Sequence, residues 1–265
     1  MINDNLKGET EKRMYLLLIF LMTLIIPLIT IPAELRRGSA SPYRTVVHAA
    51  LYSSAAALVV FAAASLSGES VYSQLSTAVE DIAGLLAQDS TVIDMLGLEE
   101  ASMDEKTDMF IGMYQQVFNT LPASIMTFST AAAYFEYLII SKVKKAHISQ
   151  TALMPAFREF SLPGGAVWGI LLMYIASWIM TSTELLPNDL LYVNMDLIFD
   201  FVLSLQGISV ILMLFHMKRI PKAIGAAAVL ILWITVIGRW LLVLLGMFDI
   251  ILGLKFRIQN NRPGR

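Results

Sequence analysis

The residues of this chain best suited to chemistry are ionisable side chains that stand inside long apolar runs. An Asp, Lys or Arg at the centre of a bilayer costs about 2.5 to 3.5 kcal/mol, so it must be paired or must face water or a ligand. The run over residues 190–217 holds the richest set. Asp196, Asp200, Ser204 and Gly207 follow at steps of four, four and three, which places them on one face of a helix.

Asp200 is the leading candidate on this face. It lies about three turns into the helix, whereas Asp196 lies near the helix end, where a solvated carboxylate costs little. The expected partner of Asp200 is Arg239 or a bound cationic or hydrogen-bonding ligand, because no other basic residue lies at that depth in the C-terminal half. Two more charges, Arg239 and Asp249, occur in the next apolar run, where they indicate either an internal salt bridge or a proton relay. The candidate ligand-binding residues are Asn194, Asp200, Ser204, Gln206, Arg239 and Asp249.

Membrane helices are the elements that must position these residues. The 265 residues are 57% hydrophobic and 15% charged, well above the apolar share of about 45 to 50% in soluble domains. A helix needs roughly 20 apolar residues to cross a bilayer, and six runs reach that length. They cover residues 14–33, 45–66, 120–141, 166–186, 190–217 and 223–254. The sequence therefore predicts an all-α, polytopic transmembrane helix bundle that forms a single membrane domain over 1–265.

The number of crossings depends on the first and last runs. The last run has 32 residues. As one straight helix it would be about 48 Å long against a hydrocarbon core of about 30 Å. We expect two short helices that turn near Gly238, which gives seven spans, or six if the run is one span. Pro27 and Pro32 leave open a re-entrant first segment.

Basic residues predict the orientation. Lys and Arg are enriched in cytoplasmic loops. Four groups flank the apolar runs: Arg36, Arg37 and Arg44; Lys142, Lys144, Lys145 and Arg158; Lys218, Arg219 and Lys222; and Lys255, Arg257, Arg262 and Arg265. We place all four groups, and with them the C-terminus, in the cytoplasm.

The connection over residues 67–119 then lies outside. It holds ten acidic residues and a single basic one, Lys106. Apolar residues recur at steps of three and four in two stretches, which predicts an extracytoplasmic amphipathic helical hairpin with Gly97 in its turn region. The two apolar faces are Val71, Leu75, Val79, Ile82 and Leu86, and Met109, Phe110, Met113, Tyr114 and Val117.

From residue 109 onward, four features in order resemble the YybS-like family of uncharacterised bacterial membrane proteins. They are a span entered by Leu121-Pro122, the segment from Phe157 to Pro163 before a span with Trp168, the segment from Leu205 to Val210 after Asn194, and the segment from Leu245 to Asp249 before Lys255-Phe256-Arg257. The family is itself distantly similar to the substrate-binding S-components of energy-coupling-factor transporters.

The resemblance implies a multi-pass protein of the bacterial plasma membrane that encloses a small-molecule site near its outer face. By the same resemblance, the ridge of Ala49, Ser53 and Ala57 is a surface for a transporter partner subunit; ordinary packing within the chain is the alternative. Gly165 and Gly169 form a G-x-x-x-G pattern, which is typical of close helix contacts.

Enzyme motifs are missing from the sequence. His48, His147 and His216 are isolated, so no H-E-x-x-H zinc site exists, and there is no phosphate-binding G-x-x-x-x-G-K-[ST] loop and no nucleophile elbow. Cysteine is absent, which excludes disulfides and thiolate metal sites. No basic stripe interleaved with aromatic residues indicates nucleic-acid binding. We expect neither an enzyme nor a cofactor, metal or nucleic-acid partner.

Two functions remain open. The first is a small-molecule-binding or transport-related, S-component-like protein without its own ATPase, with its site between residues 190–217, the last span and the outer hairpin. Its partners would be the lipid bilayer, transporter subunits or other membrane proteins, and an unknown small molecule. The second is a non-transporting scaffold or regulatory protein in envelope or division processes, with the basic segment 142–158 as its cytoplasmic contact.

The orientation is testable with single cysteines, since the chain has none. Impermeant maleimide is expected to label an Asp94→Cys variant in intact cells and to leave Lys144→Cys and Arg262→Cys unlabelled until the membrane is permeabilised. Labelling of Lys144→Cys in intact cells would overturn the assignment.

Overall fold

The structure is a computed structural model that describes residues 2–37, 41–66, 71–143, 153–162, 165–183 and 190–260. All regular secondary structure in these ranges is helical. The chain divides into two compact units, Met1–Ala152 and Leu153–Arg265. The predicted single membrane domain stays a prediction.

The N-terminal unit contains six helices in the described part of the chain. They are α1 (Ile2–Arg37), α2 (Pro42–Leu66), α3 (Val71–Leu86), α4 (Ser90–Leu96), α5 (Met103–Asn119) and α6 (Leu121–Val143). Helices α1, α2 and α6 pack against one another. Helix α1 runs unbroken through Pro27 and Pro32, so the alternative in which these prolines break the first segment is wrong.

Small residues of α2 line this packing. Ala49, Ser53 and Ala57 are almost fully buried, and the Ser53 hydroxyl donates to the carbonyl oxygen of Ala50 at 3.1 Å. The ridge therefore serves contacts within the chain, and the implied docking surface for a transporter subunit is not available there. His48, isolated in the sequence, donates from Nδ1 to the Glu34 carboxylate at 2.8 Å across α1 and α2.

The acidic connection contains three helices where the sequence predicted two. Helix α4 lies between the predicted pair; its N-terminal amides of Thr91 and Val92 donate to the Asp89 side chain, and Gly97 ends it in the left-handed region. Helix α5 begins with a capping box: the Ser102 amide donates to the Glu105 carboxylate, and the Glu105 amide donates to the Ser102 hydroxyl. Hydrogen bonding to Ser102, chiefly to its backbone amide, lowers the pKa of Glu105.

A small apolar core holds this hairpin together. Its buried members are Ala83, Ala87, Ile93 and Phe110. The predicted face on α5 is right for Phe110 and wrong for Met113 and Val117, which are exposed. The short α4 inserts Ile93 into the core, so α5 does not need a long apolar face.

The C-terminal unit is built around α8 (Leu190–Met217), the helix that carries the polar stripe. A 3-10 turn (Phe157–Glu159), α7 (Ala166–Ser182), α9 (Lys222–Ile234), α10 (Val236–Leu252) and α11 (Leu254–Asn260) all pack on it. Half of its apolar span is buried, more than in any other full-length span of the described chain. It is the central helix of this unit.

Four described helices are long and apolar enough to cross a bilayer: α1, α2, α6 and α8. Helices α9 and α10 form a pair bent by 107°, and α7 is a shorter apolar helix. Each of the six predicted apolar runs is helical over most of its described residues, and the helical membrane bundle is confirmed. The break in the last run falls at Thr235, three residues before Gly238, and whether this pair crosses twice stays a prediction.

Two glycines let α8 and α10 touch backbone to backbone. A Cβ atom on Gly207 would stand 2.0 Å from the carbonyl oxygen of Leu242, and one on Gly246 would stand 2.0 Å from that of Leu203. No larger residue fits at this crossing. By contrast, a Cβ on Gly165 or Gly169 meets no described atom within 4 Å, so the G-x-x-x-G contact is not formed with the described residues.

This crossing predicts the effect of one added methyl group. Gly207→Ala is expected to lower the free energy of unfolding by about 1 to 3 kcal/mol, because two backbones must separate. The matched control is Gly169→Ala, where the methyl group meets open space and a helical alanine is neutral or stabilising by up to about 1 kcal/mol. Unfolding titrations of both variants in mixed micelles measure this difference in stability. Equal stability of the two variants would contradict the close contact of the α8 and α10 backbones at Gly207.

Candidate functional site

Helix α8 positions two polar clusters, both within the C-terminal unit. Asp196 and Asp200 lie in its first half, one helical turn apart. Gln206 and Ser209 lie in its second half and are buried. The contact of Leu203 with Gly246 lies between the two pairs along α8, and it brings α10 close enough to supply partners to both.

The first cluster faces a cavity of about 470 Å³ between α7, α8 and α10. Tyr174, Asp196, Asp200 and Trp240 provide its polar and aromatic groups. Its remaining walls are aliphatic: Ile170, Leu171, Leu203, Val243, Leu244 and Met247. This volume lies within the range of about 300 to 1,000 Å³ that small-molecule sites occupy.

The two carboxylates of the cavity have different partners. The Tyr174 hydroxyl donates to Asp196 Oδ1 at 2.6 Å. A guanidinium nitrogen of Arg239 lies 3.9 Å from Asp200 Oδ2, and both side chains remain more than a third exposed. Asp200 and Arg239 therefore form a loose ion pair, whereas Asp196 holds a short hydrogen bond.

Two neighbouring aromatic rings fix the orientation of Tyr174. Its ring centre lies 5.1 Å from that of Phe199 and 5.9 Å from that of Tyr192, the latter edge to face. Contacts of this kind favour offset or perpendicular rings and restrict rotation. The Tyr174 hydroxyl is thereby held towards Asp196 at the cavity wall.

The second cluster is a closed network around Asp249. Gln206 Nε2 donates to Asp249 Oδ2, and the backbone amide of Lys255 donates to Asp249 Oδ1 at 2.8 Å. The Lys255 ammonium lies 3.4 Å from Oδ2. Gly253, with φ of 61°, ends α10 and turns the chain so that Lys255 faces back towards Asp249.

The same network holds the chain segment before α7. Lys255 Nζ donates to the carbonyl oxygen of Phe160 and to Ser209 Oγ, and Ser209 donates to the Phe160 carbonyl at 2.7 Å. The Leu162 amide donates to Gln206 Oε1 at 3.0 Å. Burial lowers the pKa of Lys255, and the Asp249 carboxylate opposes that effect. The network joins four chain segments and is structural in character.

The structure separates the six predicted site residues. Asp200 and Arg239 meet at the cavity, the pairing that their similar depth indicates. Gln206 and Asp249 meet in the closed network, and Asp249 pairs with Lys255 instead of Arg239. Asn194 is buried and donates to the Leu190 carbonyl of its own helix. Ser204 is fully buried, and its hydroxyl has no hydrogen-bond partner among the described residues.

Sequence reasoning missed Tyr174 and Trp240 at the cavity and Lys255 and Ser209 in the network. A tyrosine or tryptophan in a membrane helix carries no signal of its own, because both are common near interfaces. Lys255 was assigned to the basic end of the chain. The helix α7 that supplies Tyr174 was not assigned to the site, and a role for the outer hairpin stays a prediction.

Comparison with known proteins places the chain in a family. Residues 12–250 match the family described as "Predicted membrane protein (DUF2232)", and the chain belongs to that family. The chain is also 24% identical over 153 residues to "Uncharacterized protein YybS" of Bacillus subtilis (strain 168). That match spans 57% of this chain and 46% of the relative, less than half of the relative's length. No solved structure matches the chain.

The buried pair predicts a specific stability loss. Asp249→Asn is expected to lower the free energy of unfolding by roughly 3 to 5 kcal/mol, because it leaves a buried ammonium group without its counterion. Adding Lys255→Met should restore part of that loss. Glu159→Gln, at an exposed pair with Arg158, is the control and should change stability by about 1 kcal/mol or less. Chemical unfolding of the four proteins tests this; no recovery in the double variant would contradict the pairing.

Proposed function

We propose that this membrane protein binds a small organic molecule with one positively charged group in the cavity between α7, α8 and α10. The observation that carries the proposal is the charge inside that cavity. Asp196 and Asp200 line the cavity with two carboxylates, and Arg239, which is not itself a lining residue, pairs one guanidinium with Asp200. One negative charge therefore remains for a ligand to neutralise.

Each carboxylate has a distinct role in this proposal. Asp196 is held by Tyr174 and forms a fixed acceptor in the wall. Asp200 is only loosely paired with Arg239, so its carboxylate can accept from a ligand without breaking a tight contact. An ammonium group between the two would make charge-assisted hydrogen bonds, which are stronger than neutral ones.

The walls favour an organic ligand over a bare metal ion. Tyr174 and Trp240 offer aromatic faces that attract cations, and the aliphatic residues offer surface to an apolar ligand body. A hydrated metal ion would leave that apolar surface without a partner. An amine or quaternary ammonium compound uses both kinds of wall.

Transport is the role that we assign to this binding. The resemblance to S-components supports it, because those proteins capture a small molecule and depend on partner subunits for energy. The chain has no phosphate-binding loop of its own, so active uptake would need an ATPase subunit. We propose a non-enzymatic protein of the bacterial plasma membrane with a cytoplasmic C-terminus.

A scaffold or regulatory protein is the alternative. Such a protein has no need for a cavity and can fill its interior with side chains. An open space beside two membrane carboxylates is costly for a scaffold and useful for a binder. Residues 144–152 of the basic segment 142–158, the cytoplasmic contact expected for such a protein, lie outside the described residues.

Copurified molecules provide the test. Tagged protein from native membranes is expected to retain one or more amine or quaternary ammonium compounds, identified by mass spectrometry of the extract. Asp200→Asn should keep the melting temperature and reduce the retained amount by about tenfold or more, since it removes a charged hydrogen bond of about 1.5 to 3 kcal/mol. Asp108→Asn, an exposed carboxylate of α5, is the matched control and should retain the parent amount.

Two outcomes would overturn this proposal. One is an extract whose enriched molecules are all neutral or anionic. The other is an Asp200→Leu variant that is as stable as the parent and retains the same molecules in the same amount.

A further inference from the structure

A second cavity of about 270 Å³ lies in the C-terminal unit, where the 3-10 turn meets the turn between α8 and α9. Its apolar walls include Leu212, Phe215 and Ile220. Its polar groups are Arg158, His216 and Lys222, one from each of three chain segments. We call this cavity the basic pocket. It shares no residue with the cavity between α7, α8 and α10.

The charge around the basic pocket is strongly positive. Lys218 and Arg219 lie on the same turn as the pocket's Ile220 and Lys222, and both are exposed. Glu159 lies beside Arg158, with 3.5 Å between carboxylate and guanidinium, and offsets one of these charges. A ligand that enters here meets several cations at the rim and apolar side chains behind them.

The backbone of Arg219 adds an independent observation. The Arg219 amide donates to the His216 carbonyl at 3.2 Å, and the Ile220 amide donates to the Phe215 carbonyl at 2.9 Å. This is the helix-ending motif that usually has glycine at the left-handed position. Here an arginine takes it, with φ of 56°, alone among the described non-glycine residues in having a positive φ. An arginine at this position carries a backbone strain that a glycine would not.

The motif also builds the pocket wall. It brings Ile220 back over Phe215, and both residues line the basic pocket. On the opposite side, Phe157 stacks on Phe160 with ring centres 5.5 Å apart, and the Phe160 carbonyl is held by Ser209. Arg158 lies between these two phenylalanines in the sequence. The pocket is therefore formed before any ligand arrives.

We propose that the basic pocket binds an anionic phospholipid, with the phosphate at Arg158 and Lys222 and the upper part of an acyl chain against Phe215 and Ile220. The position favours a lipid over free phosphate. Helix α8 ends at Met217, and the charged turn follows at once, so the pocket lies where an apolar span passes into the polar interface. Basic pockets between membrane helices at this depth suit anionic headgroups.

The experiment compares two lipids that differ only in the headgroup. The full-length protein, delipidated in a neutral detergent, is titrated with dioleoylphosphatidylglycerol, with dioleoylphosphatidylcholine and with inorganic phosphate. Native mass spectrometry counts bound lipids, and melting temperature reports stabilisation. We expect one phosphatidylglycerol to bind at least about tenfold more tightly than phosphatidylcholine, through charge-assisted bonds to its phosphate.

Three variants locate the binding. The double variant Arg158→Gln and Lys222→Gln should lose that preference, and Arg257→Gln, an exposed cation of α11 outside the pocket, should keep it. Arg219→Gly should bind phosphatidylglycerol several-fold more weakly while unfolding no more easily than the parent, because glycine relieves the left-handed strain.

The proposal fails on any of three results. Equal affinity for the two lipids removes the anionic specificity. An equal loss in Arg257→Gln shows general surface charge. Inorganic phosphate that binds as tightly as the lipid shows an anion site without a lipid role.

Discussion

The backbone contact between α8 and α10 at Gly207 and Gly246 is the constraint on which the C-terminal unit depends. With one helix pressed against the carbonyl oxygens of the other, residues on both sides of the crossing are brought within bonding distance. On one side Arg239 meets Asp200, and on the other side Asp249 meets Gln206. A wider separation would take Arg239 from Asp200 and Asp249 from Gln206, and the loss of such partners is expensive in a membrane.

The two polar clusters along α8 show two solutions to the cost of burying charge. Around Asp249 every strong donor is used: Lys255 bonds to Asp249, Ser209 and the Phe160 carbonyl, and Gln206 bonds at both ends of its amide. Such a satisfied network gives rigidity and no room for a ligand. Around Asp200 the pairing is loose and a cavity adjoins it. The cluster around Asp249, whose strong donors and acceptors have partners, is structural. The cluster around Asp200, whose pairing is incomplete, is the candidate site.

The closed network also connects the two cavities. Its hydrogen bonds to the Phe160 carbonyl orient the segment that carries Arg158 at the basic pocket. Its residues Gln206 and Asp249 lie on the same helices, α8 and α10, as Asp200 and Arg239. One cavity of the unit is thus acidic and aromatic, and the other is basic and apolar. The acidic cavity adjoins the first half of α8 and the basic pocket adjoins its C-terminal end, so that each cavity keeps its own electrostatic character.

The sequence by itself determined the helical membrane class, the six apolar runs, the acidic hairpin and the importance of α8, because the length of apolar segments and the cost of charge within them are local properties of the chain. It also indicated the Asp200–Arg239 pair from depth alone. Only the tertiary structure decided that Asp249 pairs with Lys255 and that Tyr174 faces Asp196. The first follows from the turn at Gly253, and the second from ring packing on α7 and α8. The Tyr174–Asp196 contact depends on how two helices cross, and a crossing is fixed by the fit of two surfaces, which no single segment encodes. The Asp249–Lys255 pair depends on the left-handed conformation of Gly253.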